Sequence, residues 1–186
     1  SIPIDPNLWP TSAVINWNSI LTREKGLKDR YLRLRDARQI LRSRMNLQGT
    51  TMGLSTEVIS SLWWLMESLD SSTLKAILAL LPADDWREDI PRLTTGALGR
   101  MRRGHWDRTV ANAWGVLAVE KFSQTFESTP VTGSLTAGIR KNTMTVNWAN
   151  TPEGRELQFN WPRGKETLSI AQKGTGAPWA VIRSMA

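Results

Sequence analysis

Four groups of residues in this chain have types and spacings that could do chemistry. Asp84-Asp85 and Glu88-Asp89 form an acidic cluster. Carboxylates held a few ångströms apart across a cleft perform acid–base work on glycosidic bonds. The same four residues precede a helical pattern, where negative charge suits the helix dipole, and we read them as capping. His105 is the only histidine and sits in Gly104-His105-Trp106. No partner stands at the spacing of a metal site or an acid–base pair, so it reads as a turn or packing residue. Gly174-Thr-Gly176 is glycine-rich but lacks the Lys-Ser/Thr that completes a phosphate loop. It reads as a tight turn between two strands. Arg33, Arg35, Arg38 and Arg42 could present a basic surface to nucleic acid or an acidic partner. The plainer reading is the solvated outer face of a helix, because Asp29 and Asp36 intersperse the charge. No catalytic, cofactor or metal site is assigned.

These residues must be held by elements, and bulk composition bounds what those can be. The chain has 186 residues, 40% of them hydrophobic and 22% charged. That is enough to bury a core and is unlike a disordered chain. No apolar run approaches the ~18 residues of a membrane-span candidate. The absence of cysteine excludes disulfides, thiolate zinc sites and thioesters within these residues. The formal charge is +7. Between Arg23 and Arg44, nine Lys/Arg face three Asp/Glu, a net of +6, so one helix accounts for most of it. The opening Ser-Ile-Pro-Ile-Asp-Pro is not a signal peptide. With no initial Met, the chain is expected to be a piece of a larger protein.

Residues 1–11 carry three prolines and read as extended linker. A short helix is expected over 13–21. Residues 29–46 read as a helix whose packed face holds Tyr31, Leu34, Ala37, Leu41 and Met45, with Gly49 at its C-cap. The next helix opens at Ser55 or Thr56 and lines up Val58, Leu62, Leu65, Met66 and Leu69. Asp70-Ser71-Ser72 reads as its stop and the next cap, before a helix over 74–81. Another covers 88–101, with Gly96 and Gly99 suggesting close helix approach, and Asp107 caps a last helix to about residue 125. Residues 55–69 and 107–122 resemble each other loosely, a weak sign of stacked helical hairpins.

The pattern changes after Ser128. Period-two alternation over 135–139, 144–148, 157–161, 168–170 and 179–181 signals antiparallel strands with one buried face. Turns are expected at Lys141-Asn142, Pro152-Glu-Gly154 and Pro162-Arg-Gly164. The expected class is α+β in two segregated parts. Residues 1–128 form α/α helical hairpins, and 129–186 form an antiparallel β-sandwich, incomplete at its end. Ten tryptophans could stack sugars, but they more often supply packing area.

Three stretches carry a likeness to a known family: residues 98–122, with Trp106-Asp-x-Thr109-x-x-x-Ala113; Pro130-Val-Thr-Gly133; and Gly174-Thr-Gly-Ala-Pro-Trp-Ala180. In this order they resemble the C-terminal part of the bacterial alpha-2-macroglobulin family, over nearly the whole chain. The resemblance implies a partial α/α-toroid, thioester-type domain followed by a CUB-like β-domain. It implies a periplasmic parent, held at the inner membrane, that traps attacking proteases. Proteases and neighbouring domains of the parent would be its partners, with no small-molecule substrate, nucleic acid or cofactor. The family's Cys–Gln thioester does not carry over, since there is no cysteine. The chain would then be structural rather than enzymatic. Two other readings stay open: part of an α/α-toroid enzyme acting on glycans, and a basic interaction module using the four arginines.

Overall fold

The computed structural model describes residues 5–55 and 67–183. It is of the α+β class, with helices and two small antiparallel sheets. The chain divides into two compact units, Ser1–Phe122 and Ser123–Ala186.

In the first unit, Asp5 caps a 3-10 turn, Pro6–Leu8, by accepting the Asn7 N–H at 2.9 Å. Helix α1, Thr11–Arg23, follows and buries Thr11, Val14, Ile15, Asn18 and Leu21. These fall three and four apart, so they line one stripe. That stripe packs on α2, Arg30–Ser43, and on α3, Leu69–Leu80. Asn18 Nδ2 donates to Ala79 O at 3.0 Å inside the contact. Arg30 Nε donates to Leu21 O and its Nη2 to Thr22 O, which satisfies carbonyls at the open end of α1.

The helix expected over 29–46 stops at Ser43, and its packed face differs. Leu34, Ala37, Ile40 and Leu41 are buried, whereas Tyr31 is 80% exposed. Met45 belongs instead to a strand. Strands β1, Met45–Gln48, and β2, Thr51–Leu54, form a hairpin that pairs Gln48 with Thr51. Gly49 is therefore no helix cap. Its φ of 59° opens the two-residue hairpin turn, a conformation that suits glycine. The signal was Met52 and Leu54, both buried, alternating with Thr51 and Gly53.

The helix expected from residue 55 or 56, with Val58, Leu62, Leu65, Met66, Trp63 and Trp64, lies almost wholly outside the described residues. Leu69, assigned to its end, begins α3. Ser68 caps α3 reciprocally: Ser71 N–H donates to Ser68 Oγ at 3.1 Å, and Ser68 N–H to Ser71 Oγ at 2.8 Å. Asp70, Ser71 and Ser72 thus form a buried first turn, not a stop. Leu74, Ala76, Ile77, Ala79 and Leu80 are all buried, so α3 runs through the centre of its unit.

Helix α4, Asp89–Gly99, packs on α3 and β2. A Cβ built on Gly96 would lie 2.1 Å from the Met52 carbonyl oxygen. The close approach expected at Gly96 is real, but the neighbour is a strand, and Gly99 faces open space. Helix α5 is Thr109–Phe126, so it starts two residues after Asp107.

The second unit holds strands β3, Ser134–Ile139, β4, Asn142–Asn147, and β5, Leu168–Lys173, in the order β4-β3-β5. The β3–β4 turn is Arg140-Lys141, one residue earlier than expected, with Arg140 at φ 55°. The register sorts the faces. Leu135, Ala137 and Ile139 share one face with Val146, Met144, Ile170 and Leu168, whereas Thr136 and Ser134 share the other with Thr145, Asn147, Ser169 and Lys173. Residues 157–161 and 179–181 are not strands. Leu157 and Phe159 are half-buried while Gln158 and Asn160 are exposed, so alternation survives as extended backbone without a ladder. Period-two patterning reports which side of an extended chain turns inward; it does not supply a pairing neighbour.

Candidate functional site

The basic helix and the acidic cluster, separate in sequence, meet in space. Arg38 Nη1 lies 2.7 Å from Asp85 Oδ1, and Arg42 Nη1 lies 2.5 Å from Asp89 Oδ2. Arg42 Nη2 also donates to Asp85 O at 2.8 Å. Its guanidinium stacks over the ring of Trp86, 4.2 Å from the centroid, and Trp86 is wholly buried. This is a joint between α2 and the start of α4. Of the four carboxylates read as caps, Asp85 and Asp89 face guanidinia; Asp89 lies in the first turn of α4, and Glu88 sits at its N-cap without a side-chain cap bond. Of the four arginines, Arg38 and Arg42 are committed to this joint. Arg35 reaches only its exposed neighbour Asp36, at 3.3 Å. Arg33 has no ion pair among the described residues and lines an open groove of about 840 Å³ with Asp36, Trp9 and Trp17. The structure therefore does not gather the four into one free surface.

Trp106 forms a second joint, between α4 and α5. It is buried, and its indole Nε1 donates to Ala97 O at 2.8 Å. Asn112 brackets its backbone, accepting the Trp106 N–H at 2.9 Å and donating to Trp106 O at 3.3 Å. Gly115 leaves room for the ring: a Cβ there would lie 2.1 Å from Trp106 Cζ3. Asp107 accepts from Ser68 Oγ at 3.0 Å and donates its N–H to Asp70 Oδ2 at 3.3 Å. Arg100 Nε donates to the buried Asp70. Asp107 thus ties α5 to the cap of α3.

Residues 102–105 form a tight hairpin in which Arg102 N–H donates to His105 O at 2.9 Å and His105 N–H to Arg102 O at 3.2 Å. Arg103 and Gly104 take φ of 53° and 83°. His105 Nδ1 lies 2.9 Å from Trp106 O; a carbonyl only accepts, so Nδ1 carries the proton. Arg102, Arg103, His105 and Arg108 are exposed. A cleft of about 310 Å³ is lined by Arg100, Arg102, His105, Trp106 and Asp107. Sequence reasoning missed this cationic tip. Summing charge over the chain outside α2 hid it, because distant acids offset it. The usable signal was four arginines and a histidine within residues 100–108 against one acid.

In the second unit, Pro130-Val-Thr-Gly133 and Gly174-Thr-Gly176 run side by side, continuing the register of β3 and β5. Thr132 N–H donates to Thr175 O at 3.1 Å, their hydroxyls lie 2.7 Å apart, and Thr175 Oγ1 donates to Pro130 O at 3.0 Å. A Cβ on Gly133 would lie 2.0 Å from Lys173 O, and one on Gly174 2.0 Å from Thr132 O. The expected turn between two strands is therefore an extension of the β3–β5 pairing beyond the end of β5. Trp148 Nε1 braces it through Gln172 Oε1 at 2.9 Å, and Gln172 Nε2 donates to Thr132 O at 3.0 Å. Trp179 Nε1 donates to Glu127.

Among the described residues, no helix is long and apolar enough to cross a membrane, and no group of three His, Cys, Asp or Glu could hold a metal. No family model matches the chain, and no curated protein matches it.

Proposed function

We propose that the chain is a structural, non-catalytic part of a bacterial alpha-2-macroglobulin-like protease inhibitor. In this reading the helical unit contributes to an α/α toroid and the strands to a CUB-like domain. One observation carries it: the stretches that bear the resemblance are where each unit is joined internally. Trp106, Asp107, Asn112 and Gly115 lock α4, α5 and the α3 cap together. Pro130–Gly133 and Gly174–Gly176 lie hydrogen-bonded side by side, although they are far apart in sequence. Residues committed to joints suit a scaffold. So does the use of Asp85 and Asp89 to hold arginines, where the glycan-acting alternative would want carboxylates facing a cleft.

On this reading the partners are proteases, met through the parent in the periplasm, together with the parent's neighbouring domains. The test is to incubate the full-length parent with an elastase-type protease, then assay that protease on a large protein and on a small peptide. A caged protease cuts the peptide and spares the protein. Equal, uninhibited cleavage of both would remove the proposal for that protease.

A further inference from the structure

We infer that the cationic tip between α4 and α5 binds a phosphate group. Four observations converge on it. First, the cations lack counter-charges: Arg102, Arg103 and Arg108 form no ion pair among the described residues. On α2, by comparison, Arg38 and Arg42 are paired and Arg33 alone of the four arginines has no ion pair among the described residues. Second, Arg100 spends only its Nε on Asp70, which leaves two terminal nitrogens beside the cleft uncommitted. Third, the backbone is held. The 102–105 hairpin closes with two hydrogen bonds, and buried Trp106 anchors it between α4 and α5. Fourth, there is a concavity: the cleft of about 310 Å³ is lined by Arg100, Arg102 and His105.

Like charges gathered on a fixed loop repel one another, and an anion relieves that repulsion. The planar guanidinium fork matches two oxygens of a phosphate at once, and such charge-assisted bonds are about twice as strong as neutral ones. A held loop loses little conformational freedom on binding. One acid, Asp107, also lines the cleft and accepts from Ser68 Oγ; against its single negative charge stand Arg100, Arg102 and His105. The phosphate could be free or be the headgroup of an anionic lipid, and the tip recognises the chemistry common to both. This inference does not rest on the protease-trap reading, and either can fail alone.

The test uses the 186-residue chain and two probes, inorganic phosphate and phosphatidylcholine vesicles with and without phosphatidylglycerol. NMR titration with phosphate against a chloride control should shift the Arg Nε–H signals of Arg102, Arg103 and Arg108 to saturation. The double variant Arg102→Gln/Arg103→Gln should weaken binding about a hundredfold, since removing each charge-assisted hydrogen bond weakens it about tenfold. Arg33→Gln/Arg35→Gln on α2 should leave it unchanged. Near-UV circular dichroism of the tryptophans checks that the variants fold, and Arg108→Gln serves if the double variant does not. Saturable phosphate binding without vesicle binding assigns a free phosphate. Vesicle binding that needs phosphatidylglycerol and falls in the tip variant assigns a headgroup. No saturable shift with phosphate and no phosphatidylglycerol-dependent binding, or equal losses in the α2 and tip variants, would overturn the inference.

Discussion

Gly96 and Gly99 lie three residues apart on α4, and the same substitution should act on them with opposite signs. Replacing a helix-interior glycine with alanine gains roughly 0.5–1 kcal/mol from reduced unfolded-state freedom. At Gly99 nothing stands within 4 Å of the new methyl, so that gain should appear, reduced by the position at the helix end. At Gly96 the methyl would sit 2.1 Å from Met52 O, and real contacts do not go below 3.0 Å. The obstacle is backbone, so no rotamer change relieves it. β2 must retreat from α4, and the buried Met52 and Leu54 must move with it. Overpacking of this kind costs about 1–3 kcal/mol or more, and it outweighs the propensity gain. The expected net is a loss of about 1–2 kcal/mol for Gly96→Ala, a fall in Tm on the order of 5 °C for a unit this size. Gly99→Ala should be neutral or raise Tm slightly. Urea and thermal unfolding followed by tryptophan fluorescence would measure both. A Gly96→Ala protein as stable as wild type would show that β2 does not lie on α4, and the hairpin assignment would fail with it.

Gly133→Ala should destabilise the second unit by about 1–3 kcal/mol, since its φ of 82° and the Lys173 carbonyl both oppose a side chain; hydrogen exchange should show the loss confined to β3–β5. Arg42→Ala should cost about 1–2 kcal/mol by removing the Trp86 stack and leaving Asp89 poorly matched, while Arg35→Ala should lie within about 0.5 kcal/mol of wild type in urea unfolding. The Arg140 hydrogen bond to Glu166 holds that carboxyl below its ordinary range, as the Asn7 backbone N–H does for Asp5. The stabilisation from each is therefore complete above the ordinary carboxylate value and is lost as pH falls through the lowered one; carboxyl NMR titrations should show this, with Arg140→Gln returning Glu166 toward normal.

Long-period patterns were legible and short or tertiary ones were not. Helices α1, α4 and α5 lie close to their expected places, and each buries apolar residues at helical spacing along one face. The hairpin after Ser43 was hidden because its four-residue strands continue a helical spacing through Met45. Asp70-Ser71-Ser72 misled because a polar triplet looks like a break. Only the tertiary partners Arg100 and Asp107, with the Ser68 cap, make it a buried helix start. The pairing of Arg38 and Arg42 with Asp85 and Asp89 joins residues 47 apart, beyond any local pattern. The cationic tip was readable in residue types, but only the structure shows which charges lack partners.

The close pairing at Gly133 and Gly174 has a consequence for how the second unit would tolerate cutting. The turns at 152–154 and 162–164 lie between β4 and β5, so a cut there severs the chain between the two outer strands. The pieces on either side remain hydrogen-bonded, β3 to β5 along six residue pairs and Thr132 to Thr175 beyond them. Peptide-bond integrity and structural integrity are thus uncoupled across this stretch. The unit is latched at its ends, and a chain nicked there is expected to keep its shape.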